Sequence, residues 1–284
     1  LPGAGSVIAV VGANNVGKST FLRQITQLME SRSLVSLVFP RVVTEVRNPW
    51  VGTPSDMEAW LHVHSYTTVG EDGAIVLHRA GTGHLVTDAM SVRNPQDSTP
   101  QFITNWFVNK QDALNRSYIC AAAERADPVG APPQNPMQIF HKDLTKRQML
   151  ESLAERLFGI TLHFDTMSKN IGFRVGDPGV PVPLADQIDV DYSDALARLP
   201  RLVDQGDGIK SALGMVIPLI ATDFPVTLID EPEAFLHPPQ AKIMGSEIAS
   251  LARANNSQVF LATHDKNIVV GLVESDTPVT IIHL

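Results

Sequence analysis

The 284-residue chain is poor in cysteine, in positive charge and in long apolar runs, and each shortage excludes something. One cysteine, Cys120, rules out an internal disulfide and a cysteine metal cluster. Its apolar setting, Tyr118-Ile119-Cys120-Ala121, marks it as buried filler. No apolar stretch reaches the ~18 residues of a membrane span. The longest candidate, Ile209 to Ala221, is too short and carries Lys210 and Pro218. Leu1-Pro2-Gly3 lacks the charged-then-apolar layout of a signal peptide. With 22 basic against 30 acidic residues the net charge is −8, so the chain as a whole is not a basic nucleic-acid coat, although a local basic patch stays open. No internal repeat and no sustained heptad pattern is present. What remains is 44% hydrophobic and 18% charged, which is globular composition, long enough for one large domain or two small ones. The expected setting is soluble, reducing and cytoplasmic, with no membrane partner. The chain starts without Met just before a strand and ends on the apolar segment Val279 to Leu284, so it is expected to be a piece of a longer protein.

The ends of the chain carry the clearest patterns. Ser6 to Val11 is a β-branched run ending at Gly12, as expected of a buried parallel strand. Lys18 to Met29 reads as a helix with Phe21, Leu22, Ile25 and Leu28 on one face. In the last third, Gly208 to Ile220 reads as a helix, Val226 to Ile229 as a buried strand, Pro239 to Ala254 as a helix with Pro at its start, and Gln258 to Ala262 as a strand. Asp265 is placed to cap a following short helix. The middle is harder. Strands are expected at Leu34 to Phe39, Ala74 to Leu77 and Tyr118 to Ala122. Ser55 with Glu58 predicts a helix start for Met57 to Tyr66, and Thr145 with Gln148 opens another helix through Phe158. Ala126 to Pro136 reads as a loop, and Ile160 to Phe164 with Asn170 to Val175 as a hairpin before the turn Asp177-Pro178-Gly179. Alternating strands and helices imply an α/β fold with a mostly parallel central sheet flanked by helices, and an α+β region inserted into it.

Four places carry chemistry. Gly12-Ala13-Asn14-Asn15-Val16-Gly17-Lys18-Ser19, followed by Thr20, lies between the first strand and helix. Its glycines let the backbone wrap a phosphate, and its N–H groups converge on the anion at the positive helix end. Gly12 and Asn14, Asn15, Val16, Gly17, Lys18, Ser19 and Thr20 are the binding candidates; Lys18 reaches β- and γ-phosphates and Ser19 holds Mg²⁺. Val226-Thr227-Leu228-Ile229-Asp230-Glu231 is a Walker B arrangement, with Asp230 at the Mg²⁺ shell and Glu231 as general base. His264, at the end of the very next strand, is placed to bond the γ-phosphate or the attacking water. Gln205-Gly206-Asp207-Gly208-Ile209-Lys210-Ser211 is a second glycine-rich helix start. One ATP needs one cradle, so Gly206, Asp207 and Gly208 are expected to face the ATP of another subunit. The bland readings are a strand–helix turn, a solvated acidic turn, a surface histidine and an ordinary loop; their joint occurrence in this order outweighs them.

The order of motifs resembles the ATP-binding-cassette ATPases. Asp230-Glu231-Pro232-Glu233-Ala234-Phe235-Leu236-His237-Pro238 and Leu261-Ala262-Thr263-His264-Asp265 are similar to the Walker B, D-loop and switch segments of the OLD (overcoming lysogenization defect) ATPases and their relatives. Gln205 to Ser211 fits their divergent signature better than Leu-Ser-Gly-Gly-Gln. No glutamine loop can be placed. The resemblance implies one ATPase domain over residues 1–284, with its core at 1–40 and 200–284 and a variable insertion at about 41–200. It implies ATP and Mg²⁺ as cofactors, catalysis by Lys18, Glu231 and His264, and a head-to-tail homodimer or higher oligomer around two sandwiched ATPs. Relatives work with a nuclease or other effector, in cis or in trans, in anti-phage systems such as Gabija and Septu; no Toprim motif is present, and any such domain would follow Leu284. Nucleic acid stays open as a partner. Two other readings remain: a DNA repair or recombination ATPase, for which the insertion has Pro and Gly breaks instead of heptads, and a non-hydrolysing nucleotide-binding scaffold, against which Glu231 and His264 speak.

Overall fold

In the computed structural model the description covers residues 3–31, 53–69, 73, 75–82, 85–86, 105–111, 113–126, 133–183 and 189–284. Strand β1 (Ser6–Val11) leads into α1 (Lys18–Ser31). Then come α2 (Pro54–His64), β2 (Ser65–Val69), β3 (Ile75–Arg79), β4 (Leu85–Val86), β5 (Val108–Gln111), α3 (Ala113–Ile119) and β6 (Ala123–Glu124). The chain continues through α4 (Pro136–Lys142), α5 (Leu144–Phe158), β7 (Leu162–Asp165), β8 (Asn170–Val175) and α6 (Val190–Arg198). It closes with α7 (Asp207–Ala221), β9 (Val226–Asp230), α8 (Pro238–Ala254), β10 (Gln258–Thr263), α9 (Lys266–Val273) and β11 (Val279–His283).

The central sheet has the order β11-β1-β10-β9-β5, and every pairing is parallel. Its strands alternate between two apolar layers. Val7, Ala9, Ile229, Val259 and Leu261 face the core built with α5, α7, α8 and α9. Ile8, Val10, Leu228, Phe260 and Ala262 face Phe21, Leu22 and Ile25 of α1 with Trp106 and Phe107. A sheet covered on both faces explains why its inner strands β1, β10 and β9 are mostly apolar. Two three-stranded antiparallel sheets, β2-β3-β4 and β6-β8-β7, lie outside it. The first is tied to the core by Arg79, whose buried guanidinium meets Asp223 at 3.1 Å and lies over the rings of Trp60 and Phe224.

The α/β class and parallel sheet are as expected, and so are the hairpin β7–β8 and the Asp265 cap, which accepts from the Asn267 and Ile268 amides. Three expectations fail. Tyr118 to Ala122 is not a strand: α3 runs through Ile119, and Tyr118 is 80% exposed while Cys120 is 2% exposed, although a strand would put both on one face. The buried pair is instead Arg116 and Cys120, four apart as a helix requires. Ser55 does not open α2; Thr53 does, exchanging hydrogen bonds with Asp56 in a capping box, with Pro54 at the first helical position. Tyr66 then lies in β2. Thr145 does not open α5, because the Asp143 carboxylate already accepts the Lys146 amide at 3.0 Å. The expected strand Leu34 to Phe39 lies outside the described residues, as do 127–132 of the expected loop.

Candidate nucleotide site

In a parallel sheet the carboxyl ends of all strands share one edge, and ligands bind in the crevice there. The register places Val11 beside Thr263, Asp230 beside Ala262, and Gln111 beside Ile229. The phosphate loop, the Asp230-Glu231 turn, the switch segment and the end of β5 are therefore neighbours, although their residues are far apart in the chain.

The loop from Gly12 to Ser19 has the strand–turn–helix setting its chemistry needs. Gly17 has φ 103° and Asn15 φ 68°, left-handed values that fold the backbone back on itself. A side chain at Gly12 would meet the Leu284 carbonyl oxygen at 2.7 Å, so the close approach of that backbone favours glycine there. The Lys18 ammonium is drawn over the loop and donates to the Gly12 and Ala13 carbonyls at 3.0 and 2.7 Å. Asn14 and Ser19 are exposed on this edge, and Val16 and Thr20 are half-buried.

At the end of β9, Asp230 Oδ1 is buried with no hydrogen-bond partner among the described residues. Burying such an acceptor is costly unless something binds it. Gln111 Oε1, one strand further, is likewise buried and unpartnered. With the Ser19 hydroxyl these are hard oxygen donors of the kind Mg²⁺ takes, whereas no cluster of three His, Cys, Asp or Glu exists among the described residues. Glu231 is exposed and has φ 47°, an uncommon backbone for a residue with a side chain. Its amide donates to the Ala262 carbonyl at 2.9 Å, and its own carbonyl accepts from Arg116 at 3.0 Å. The fully buried Arg116 guanidinium also donates to the Asp230 carbonyl. Arg116 thus fixes the backbone that presents both carboxylates.

His264 has a buried partner. Glu233 Oε1 accepts from the His264 amide at 3.0 Å and pairs with His264 Nδ1 at 2.9 Å. Glu233 Oε2 accepts from the Thr263 hydroxyl at 2.7 Å.

The second glycine-rich turn opens α7 with Gly206 as N-cap. Asp207 pairs with Lys210 at 3.1 Å, and a side chain at Gly208 would sit 3.1 Å from the Phe235 carbonyl oxygen. Gly206 would have nothing within 4 Å. Gly208 therefore lies against the loop after Walker B. Gln111, Arg116 and Glu233 were not picked out from sequence. For Glu233 the signal was its place in Asp230-Glu231-Pro232-Glu233; for Gln111 and Arg116 only the fold reveals it.

Residues 138–270, which hold the second glycine-rich turn, Asp230-Glu231 and His264, match the family described as "AAA domain, putative AbiEii toxin, Type IV TA system". Over 69 residues the chain is 36% identical to the uncharacterised protein MJECL11 of Methanocaldococcus jannaschii, an overlap that takes in 24% of this chain and 60% of that protein. Among solved structures, the SmcHead bound to the C-winged helix domain of ScpA aligns over 100% of this chain and 87% of its own, with TM-score 0.50 and 14% identity. The fold is that of an ABC-class P-loop ATPase head. The SMC head domain from Thermotoga maritima aligns over 97% of this chain and 86% of its own, with TM-score 0.41 and 13% identity. No helix among the described residues is long and apolar enough to cross a membrane.

Proposed function

We propose that the chain binds ATP with Mg²⁺ at the carboxyl edge of its sheet and hydrolyses it. One observation carries the reading: the phosphate loop with Lys18 shares that edge with two buried, unpartnered oxygens, Asp230 Oδ1 and Gln111 Oε1. Loop amides from Asn14 to Thr20 would hold the phosphates, with Gly12 and Gly17 giving the backbone its bend. Lys18 would leave its loop carbonyls for the β- and γ-phosphates. Ser19 and Asp230 would hold Mg²⁺, with Gln111 beside them; when bound, the ion would supply positive charge for the transferring phosphoryl group. Glu231 takes the proton of the attacking water, and His264 bonds that water or the γ-phosphate. Gly206, Asp207 and Gly208 of a second subunit would complete the site from the opposite side, so the working form is a homodimer or larger. Residues 1–284 form one ATPase domain, and the segment between about 41 and 200 is an insertion that lends β5 to the sheet.

The resemblance to OLD ATPases, and a family description that includes a toxin of a toxin–antitoxin system, favour bacterial anti-phage defence, with ATP turnover controlling a nuclease or other effector in cis or in trans. The reading is tested by nucleotide binding and turnover in two variants. Lys18→Ala should abolish binding, since Lys18 contacts ground-state phosphates. Glu231→Gln should bind ATP and lose turnover, since Glu231 acts on the attacking water. Normal turnover in Glu231→Gln removes the general-base assignment.

A further inference from the structure

We infer that Glu233 is a positioning residue for His264, holding the proton on Nδ1 so that Nε2 is the nitrogen offered to the reacting groups. This rests on the hydrolytic reading above for its catalytic half and on geometry alone for its tautomer half. A carboxylate only accepts hydrogen bonds. Glu233 Oε1 lies 2.9 Å from His264 Nδ1, so Nδ1 carries the hydrogen of that contact. The rest of the network leaves little freedom. The Thr263 hydroxyl accepts from the Asp265 amide at 3.0 Å, so its single proton goes to Glu233 Oε2. The His264 amide donates to Oε1 as well. Three donors from two consecutive residues, Thr263 and His264, thus fix one carboxylate whose side chain is 6% exposed, while the imidazole it holds is 43% exposed. Nε2 has no hydrogen-bond partner among the described residues. The hydrogen bond at one ring nitrogen sets which form the other takes, and a ring held in one tautomer and orientation needs no reorganisation when substrate binds.

The test reads tautomer and turnover separately. Histidine-selective ¹⁵N labelling with long-range ¹H–¹⁵N correlation gives the tautomer of neutral His264, its signal identified by its loss in His264→Gln. Wild type should carry the proton on Nδ1. In Glu233→Ala it should move toward Nε2, and kcat should fall on the order of 10- to 100-fold with KM little changed. Glu233→Gln keeps the shape, and its amide oxygen still faces two donors. It should retain the Nδ1 proton, fall between wild type and Glu233→Ala in kcat, and stand in if the alanine variant does not fold. A wild-type His264 protonated on Nε2 overturns the inference, and so does unchanged kcat in Glu233→Ala. An Nδ1 proton that Glu233→Ala displaces, in a protein with no turnover at all, supports the positioning and sinks the hydrolytic reading instead.

Discussion

Replacing Gly214 by alanine should unfold the link between α7 and the turn that carries Asp230 and Glu231. A Cβ there would lie 2.0 Å from the Arg116 carbonyl oxygen, 2.7 Å from its carbon and 3.1 Å from its Cα. All three are backbone atoms, so no rotamer change relieves the clash, and α3 must retreat by about 1 Å or more in a close-packed interior. Alanine is the better helix former by about 1 kcal/mol. Overpacking costs about 1–3 kcal/mol, and the buried Arg116 guanidinium would lose charge-assisted hydrogen bonds of about 1.5–3 kcal/mol each. The clash wins, with a net loss of about 2–4 kcal/mol. For a chain of this size that lowers Tm by roughly 5–15 °C. Scanning calorimetry measures it, with Gly206→Ala as control, since nothing lies within 4 Å of that Cβ. Turnover should fall more than nucleotide affinity, because Arg116 supports the backbone of Asp230 and Glu231. A Gly214→Ala protein that melts at or above wild type would show that the α3–α7 contact does not constrain the site.

Hydrolysis should require Mg²⁺, and activity that survives excess EDTA contradicts the placement of the ion at Ser19 and Asp230. Burial pushes the Cys120 thiol up to about 12, with Lys210 pulling the other way, so native protein should resist alkylation at pH 8 and react on unfolding; fast native labelling refutes that burial. Mixing a Lys18→Ala subunit with one blocked at the α7 start should restore about one working site per heterodimer. Gly206→Trp is the better wedge for this than Gly208→Trp, because Gly208 already packs on Phe235 of its own chain. A mixture as inactive as both parents, despite heterodimers seen by mass spectrometry, places the whole site in one chain.

Elements with strong local signals could be read without coordinates. β1, β9 and β10 are mostly apolar because both faces of their sheet are covered, and α8 opens at prolines. β5 escaped because Asn109 and Lys110 interrupt it and it lies at the sheet edge, so its four residues carry no apolar run. With it went Gln111. Arg116 was illegible for another reason: its partner carbonyls are 114 and 115 residues away, and no local pattern encodes a bond to distant backbone. The strand expected at Tyr118 followed side-chain type, whereas spacing from Arg116 to Cys120 decided for helix.

The parallel order β11-β1-β10 imposes a schedule on the newborn chain. Ser6 pairs with Gln258 and Val7 with Val279, so β1 must wait for β10 and β11 to be made. At ~5–20 residues per second that wait is roughly 10–50 s. Throughout it Val7, Ile8, Ala9 and Val10, fully covered in the finished sheet, have neither flanking strand available. Contacts of such long sequence separation also make refolding slow. The glycine-rich loop hangs between β1 and α1, so its final geometry waits for the same two strands.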